Sequence, residues 1–300
     1  MAIITNQEPW PTLHLADWKD TCETLHMWTQ VVGKVRLALS PPLNHWWQVP
    51  LYVNSLGLTT SAIPYQQGIL EVQFDFIQHE LRIHTNSGQR ETIPLEPRSV
   101  AEFYRIFMDA LRGLGIAVKI WPVPVEIPNP VPFEKDTVHA AYDRAAVERF
   151  FRALVLIDGV LKDFRCEFVG KCSPVHFFWG SFDLAVTRFS GRRAPERAGA
   201  DAITREAYSH EVISAGFWPG SGDIPDAAFY AYAAPEPAGF ADAKASPPQA
   251  YYHPDLHEFL LMYEDVRASS SPAEILLAFL QTTYDAGANL GKWDRAALER

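Results

Sequence analysis

Apolar residues recur at steps of three and four along three stretches of the chain, which is the spacing of one face of an α-helix. The first stretch covers residues 15–39 and is followed by Ser-Pro-Pro, a helix-ending sequence. The second covers residues 99–114 and begins with the capping-box residues Ser99 and Glu102. The third covers residues 143–164. We therefore predict three amphipathic helices.

Strict alternation of apolar and polar residues predicts strands between the first two of these helices and after the third. The stretch 40–95 is interpreted as strands throughout, most clearly at 70–76, and further strands are predicted at 176–189, 210–218 and 227–234. Two additional helices are predicted to begin near Pro254 and at Ser271. The expected fold class is α+β, with antiparallel sheets and helices on one face.

Prolines recur between Pro122 and Pro132, where neither a helix nor a central strand can form. We predict a first half at residues 1–121, a proline-rich linker at 122–140 and a second half at 141–300. Both halves share the order helix, strands, helix. An internal duplication therefore stays open, because sequence identity between the halves is faint.

Composition narrows the function classes. The chain has 300 residues, 48% of them hydrophobic, and a formal net charge of −10. An acidic protein is poorly suited to binding nucleic acid, because the phosphates need positive charges as partners. No apolar run in the sequence is long enough for a membrane span. The N-terminal stretch lacks the features of a signal peptide, so we expect a cytoplasmic protein. The cysteines, Cys22, Cys166 and Cys172, have no metal-site spacing.

Four longer phrases carry a family resemblance: LHMWTQVVGKVRLALSPPLNHWW, FFWGSFDLAVTRFSGR, EVISAGFWPG and FYAYAAPEP. Together they resemble a family of uncharacterised bacterial proteins, the domain of unknown function 5996. The resemblance extends over nearly the whole chain and implies a bacterial, cytoplasmic protein. It assigns no activity, and no catalytic residue can be carried over from it.

Standard catalytic motifs are absent from the sequence. No dinucleotide-binding or phosphate-binding glycine motif occurs, and neither does the zinc-protease or the hydrolase nucleophile motif. The sequence therefore leaves the cofactor, the reaction and even the presence of catalysis unassigned.

Aromatic residues next to polar ones mark the candidate binding residues. His45, Trp46 and Trp47 open the first predicted strand region, where adjacent tryptophans would point to opposite faces. In 176–184, read as one strand, Trp179, Ser181 and Asp183 share a face, a mixture typical of small-molecule pockets. The full candidate set adds the first residue of this strand and three residues of the next one: His176, His210, Glu211 and Trp218.

Two hypotheses remain open. In the first, the protein binds a small molecule in a cleft where the sheet faces of the two halves meet. In the second, the aromatic faces form core and the protein is a non-enzymatic interaction or structural module. A helix beginning at Pro254 could bring His253 and His257, four residues apart, together as metal ligands, but no metal site is predicted. The oligomeric state is not predictable from the sequence.

Overall fold

The structure is a computed structural model that describes residues 10–66, 68–222 and 224–300. Residues 1–9, which begin the first predicted half, lie outside the described residues. The first half starts with helix α1 (Lys19–Leu39) and ends with helix α2 (Val100–Gly113). As expected, the chain leaves α1 just before two prolines, and the Ser99 side chain accepts a hydrogen bond from the Glu102 backbone at the start of α2.

Six short strands between these helices form the first antiparallel sheet. Their spatial order is β1-β2-β4-β5-β6, with β3 also paired to β4. The strands are β1 (Tyr52–Val53), β2 (Gly57–Thr59), β3 (Ile63–Tyr65), β4 (Gly68–Asp75), β5 (Glu80–Thr85) and β6 (Arg90–Pro94).

The second half begins with helix α3 (Arg144–Cys166) and forms a second antiparallel sheet with the order β11-β12-β10-β9-β8-β7. Its strands are β7 (His176–Phe178), β8 (Asp183–Arg193), β9 (His210–Trp218), β10 (Ala228–Ala234), β11 (Tyr251–His253) and β12 (Glu258–Met262). The remaining helices are α4 (Ala202–Ala207), α5 (Tyr263–Arg267), α6 (Pro272–Leu290) and α7 (Arg295–Leu298). The predicted α+β class is confirmed. The duplication and the division at 122–140 stay predictions.

One hydrophobic core extends through both halves. Trp18 of α1 lies 5.0 Å from Phe150 of α3 between ring centroids, and Phe76 of the first half lies 5.9 Å from Phe151. Leu51 and Phe177 exchange two backbone hydrogen bonds of 2.9 Å, which join the two sheets at their edges. Helices α3 and α6 cover one face of the second sheet, and the other face is left for the site described below.

Two sequence interpretations are wrong in local backbone. The residues Asn44–Trp46 form a single tight turn of 3-10 type, in which His45 and Trp46 have positive φ, so the adjacent tryptophans are not in a strand. The segment 176–184 is a β-hairpin: β7 and β8 flank a four-residue turn that contains Phe182 at φ 61°. Contacts from other elements hold both turns, and local alternation does not reveal them.

The predicted helix at Pro254 is also wrong. β11 and β12 form a hairpin there, with His253 paired to Glu258 and with His257 in the left-handed region at φ 58°. At the other predicted helix start, Ser271 makes no side-chain cap, although α6 itself forms. No helix among the described residues is long and apolar enough to cross a membrane.

Candidate functional site

A cavity of about 610 Å³ lies on the face of the second sheet that α3 and α6 leave uncovered. Alternating residues of three neighbouring strands form its floor. Asp183, Ala185 and Thr187 come from β8, Ser214 comes from β9, and Tyr230 and Tyr232 come from β10. The strand register explains this set, because residues of one parity along adjacent strands share a face.

The walls come largely from the first half. They are built by the end of α1, the turn at 45–49 and the chain at 119–126, while α4 closes the remaining side. Among the described residues, the first sheet contributes nothing to the lining. The expected cleft between two sheet faces is therefore corrected: one sheet supplies the floor, and a helix end, a turn and the linker supply the walls.

The linker wall is fastened to α1 by one side chain. The Gln30 amide nitrogen donates to the Val125 carbonyl at 2.9 Å, and the Gln30 amide oxygen accepts from the Val125 N–H at 2.9 Å. Next along the linker, the Glu126 carboxylate accepts a hydrogen bond of 2.7 Å from the Ser181 hydroxyl. These contacts hold the proline-rich chain against the β7–β8 turn.

Trp179 is held at three points within that turn. Its indole N–H donates to the Val49 carbonyl at 2.8 Å, and its ring lies directly on Gly33 of α1, where any side chain would collide with it. The His26 imidazole Nε2 bonds the Gly180 carbonyl at 2.8 Å and the Trp179 carbonyl at 3.1 Å. Contacts within the protein therefore fix the position of this aromatic wall.

Asp183 is the buried acid of the floor. Burial raises its pKa to about 7, while a hydrogen bond from Tyr230 acts in the opposite direction. Tyr230 reaches across β9 only because Gly216 lies between them: a Cβ there would be 2.6 Å from the Tyr230 hydroxyl oxygen. A carboxyl group that is partly protonated at neutral pH is able to donate as well as accept a hydrogen bond.

His45 closes the opposite end of the cavity in a defined tautomer. Its Nδ1 lies 3.1 Å from the carbonyl oxygens of Glu206 and Ala207, which only accept, so Nδ1 carries the proton. Nε2 then accepts from the Lys171 ammonium at 2.6 Å. Burial, followed by the charge of Lys171, lowers the pKa of His45, so the imidazole is neutral at pH 7.

Six of the ten residues predicted from sequence line this cavity: His45, Trp46, Trp47, Trp179, Ser181 and Asp183. Trp46, Trp47 and Trp179 therefore come together although neither backbone interpretation was right. Sequence reasoning missed Lys34, Trp121, Tyr230 and Tyr232, which also line it. The alternation in FYAYAA places the two tyrosines on one strand face and was a usable signal.

The other four candidates lie outside the cavity lining. His210 pairs with Arg193 at the far end of β8 from Asp183, and the Glu211 carboxylate accepts hydrogen bonds from Ser190 and Arg192. Trp218 packs in a separate small cluster that contains Ile224, Ala228 and Leu260.

His176 is a core residue behind the cavity wall. It is 1% exposed, and neither ring nitrogen has a hydrogen-bond partner among the described residues. The rings of Trp47, Tyr52 and Phe178 surround it at 5.3–5.7 Å. Burial, with the nearby charges of Arg36 and Arg165, lowers its pKa to about 3, so it is neutral and unsuited to proton transfer near pH 7.

A metal centre has no support in the described part of the chain. No group of three or more metal-ligating side chains occurs there. His257 instead lies 3.2 Å from the Tyr252 hydroxyl and 3.8 Å from the Glu236 carboxylate on an exposed hairpin.

A second groove, of about 520 Å³, lies between α3 and the loop after β1. Two of its three charged residues, Asp158 and Lys162, already form an ion pair with an N–O distance of 2.5 Å, and the third is Arg152. Because this pair satisfies its own charges and aromatic walls are sparse there, the tryptophan-lined cavity is the better candidate site.

Comparison with known proteins gives a family and no activity. No curated protein matches the chain, and no solved structure matches it. A family model does match, over residues 10–300, which includes both halves and the linker that walls the cavity. The chain therefore belongs to the family of unknown function DUF5996.

Proposed function

We propose that the protein binds a small organic molecule in the tryptophan-lined cavity. One observation carries this proposal: a cavity of about 610 Å³ combines preformed aromatic walls with a small number of polar groups. Ligand pockets in proteins typically measure roughly 300–1,000 Å³ and have this mixed lining. We propose binding and assign no reaction to the site.

The floor offers hydrogen bonds for orienting a ligand. The hydroxyl groups of Thr187 and Ser214 lie 2.9 Å apart, and those of Tyr208 and Tyr232 also lie 2.9 Å apart. Each hydroxyl is able both to donate and to accept, so every pair retains capacity for a further partner. This row of hydroxyls supplies the few polar contacts that fix a ligand's orientation.

The mouth of the cavity supports the same proposal. Trp121 is 64% exposed and Ile203 is 51% exposed, and both line the cavity. Large apolar side chains exposed together at a concave surface are typical of binding sites. The alternative of a structural module has weaker support, because Trp46 and Trp47 are only half-buried and border an open space.

A thermal-shift screen against small organic molecules tests the proposal. A ligand at 100 times its Kd is expected to stabilise the protein by about 2.7 kcal/mol. The variant Ala38→Trp, at an exposed position of α1 on the cavity lining, should obstruct the cavity and abolish the shift. Ala273→Trp, exposed on α6 and outside the cavity lining, is the matched control and should keep it. Hits that survive in Ala38→Trp would contradict the proposed site.

A further inference from the structure

Lys34 places an uncompensated positive charge in the cavity wall. The residue is 5% exposed, and its ammonium lies 5.0 Å from the ring centroid of Trp121 and 5.8 Å from that of Trp179. Within the part of the chain that the structure describes, no ion pair or hydrogen bond reaches this ammonium. Burial alone lowers the pKa of Lys34 to about 8, with no nearby carboxylate to oppose the effect.

An ammonium without an anionic partner on a largely buried side chain is costly, since it loses part of its hydration and the two aromatic rings return only part of that free energy. The protein as a whole is acidic, with a formal charge of −10, so an anionic side chain to pair with Lys34 would have been readily available. The absence of such an anionic side chain beside a cavity indicates that a ligand in the cavity supplies the negative charge that pairs with Lys34.

Other charges near the cavity point in the same direction. Lys119 also lines it, and the Lys171 ammonium lies 5.3 Å from the Trp47 ring centroid. On the acidic side, the Glu126 carboxylate already accepts from Ser181, and Asp183 is partly neutral at pH 7. The cavity is therefore more positive than the rest of the molecule.

We propose that the ligand is a planar organic monoanion, such as an aromatic carboxylate, whose charge pairs with Lys34 and whose ring lies against the indoles of Trp121 and Trp179. This inference rests on the proposed function and specifies its ligand class. A monoanion fits better than a phosphate ester, because one ammonium in an aromatic wall offers too few donors for the several oxygens of a phosphate.

Three probes that share one ring system test the charge requirement: 2-naphthoate, 2-naphthamide and 2-naphthylmethylammonium. Isothermal titration calorimetry should give wild-type protein the highest affinity for 2-naphthoate. The variant Lys34→Gln removes the charge, and we expect 2-naphthoate to bind it about tenfold to a hundredfold more weakly, as for loss of one charge-assisted hydrogen bond. The affinity of 2-naphthamide should change less than about threefold.

Two controls separate a lost contact from a damaged fold. Lys244→Gln, at an exposed lysine outside the cavity lining, should bind all three probes as the wild type does. Lys34→Gln itself should melt no lower than the wild type, because it removes an unpaired buried charge.

Equal affinity of 2-naphthoate for wild type and Lys34→Gln would overturn the anion proposal, as would tighter binding of the amide or the ammonium probe. If the thermal-shift screen yields only neutral or cationic ligands that Ala38→Trp excludes, the proposed function stands and the anion inference fails. If neither the screen nor the probes give binding, both fail.

Discussion

At the scale of single residues, His176 shows how a buried base sets acid stability. The pKa of His176 in the folded protein is about 3, below the usual value of 6.5. Below pH 6.5 this imidazole is therefore protonated in the unfolded chain and stays neutral in the folded protein. His176 therefore costs no folding free energy above pH 6.5, and its cost grows as the pH drops towards 3. At pH 5 the linkage cost of this one group is about 2 kcal/mol.

We expect His176→Phe, which fits the same aromatic surroundings, to remove this cost. Urea unfolding should show the variant gaining stability relative to wild type as the pH is lowered from 7.5 to 5, by about 2 kcal/mol. His84→Gln, at an exposed position of β5, is the control. A constant difference between His176→Phe and wild type across this pH range would contradict a neutral buried imidazole.

Residue chemistry was partly predictable. Trp179, Ser181 and Asp183 are predictable as site residues because aromatic, hydroxyl and carboxyl groups lie close together in the sequence. They stay close in space whether the backbone forms a strand or a hairpin turn. Lys34 was missed because a lysine in an apolar helix usually extends its ammonium to water. Only the tertiary placement of Trp121 and Trp179 over it shows otherwise.

At the scale of elements, contact between α1 and the β7–β8 turn depends on Gly33. A methyl group at this position would collide with the Trp179 ring. This ring is held in place by its hydrogen bond to the Val49 carbonyl and by packing in the core. We expect Gly33→Ala to destabilise the protein by about 1–3 kcal/mol through overpacking. Gly159→Ala, in the interior of α3 with nothing within 4 Å of the new methyl group, should instead stabilise it by about 0.5–1 kcal/mol.

Chemical unfolding of both variants measures the two effects of the same Gly→Ala change. Helix propensity favours alanine equally at the two sites, so the difference between them isolates the indole contact. Stabilisation in both variants would show that the Trp179 ring yields easily and does not fix the wall.

Long elements were predictable and short turns were not. The periodicity of α1, α2 and α3 extends over many residues, so individual exceptions do not obscure it. The turns at 44–46, 179–182 and 254–257 each place a residue other than glycine at positive φ: His45, Phe182 and His257. Such residues carry no local signal for this conformation, and tertiary contacts must enforce it.

At the scale of the whole molecule, α3 packs against both sheets and against α6. Because one apolar core includes residues of both halves, separating them would expose apolar surface on each. We expect calorimetry to show a single unfolding transition with equal calorimetric and van't Hoff enthalpies. Two resolved transitions, or a cooperatively folded fragment of residues 1–121, would contradict this expectation.

The α+β class followed from alternation and periodicity, but the location of the cavity did not. Which face of the second sheet is covered depends on how α3, α6 and the linker pack, and these contacts join residues far apart in sequence. The linker was predicted as a connection between halves, and its additional part as a cavity wall has no local signature. Gln30, the residue that holds it there, is an ordinary polar residue in the helix sequence.

The Gln30 amide binds Val125 through the backbone alone: it donates a hydrogen bond to the Val125 carbonyl and accepts one from the Val125 N–H. These two backbone hydrogen bonds do not depend on which side chain position 125 carries. Val125 lines the cavity and packs partly against the core, so we expect a modest change of its side chain to alter the cavity lining while the two hydrogen bonds to Gln30 stay in place. If the proposed function is right, position 125 is a place where ligand selectivity could change without detaching the linker from α1.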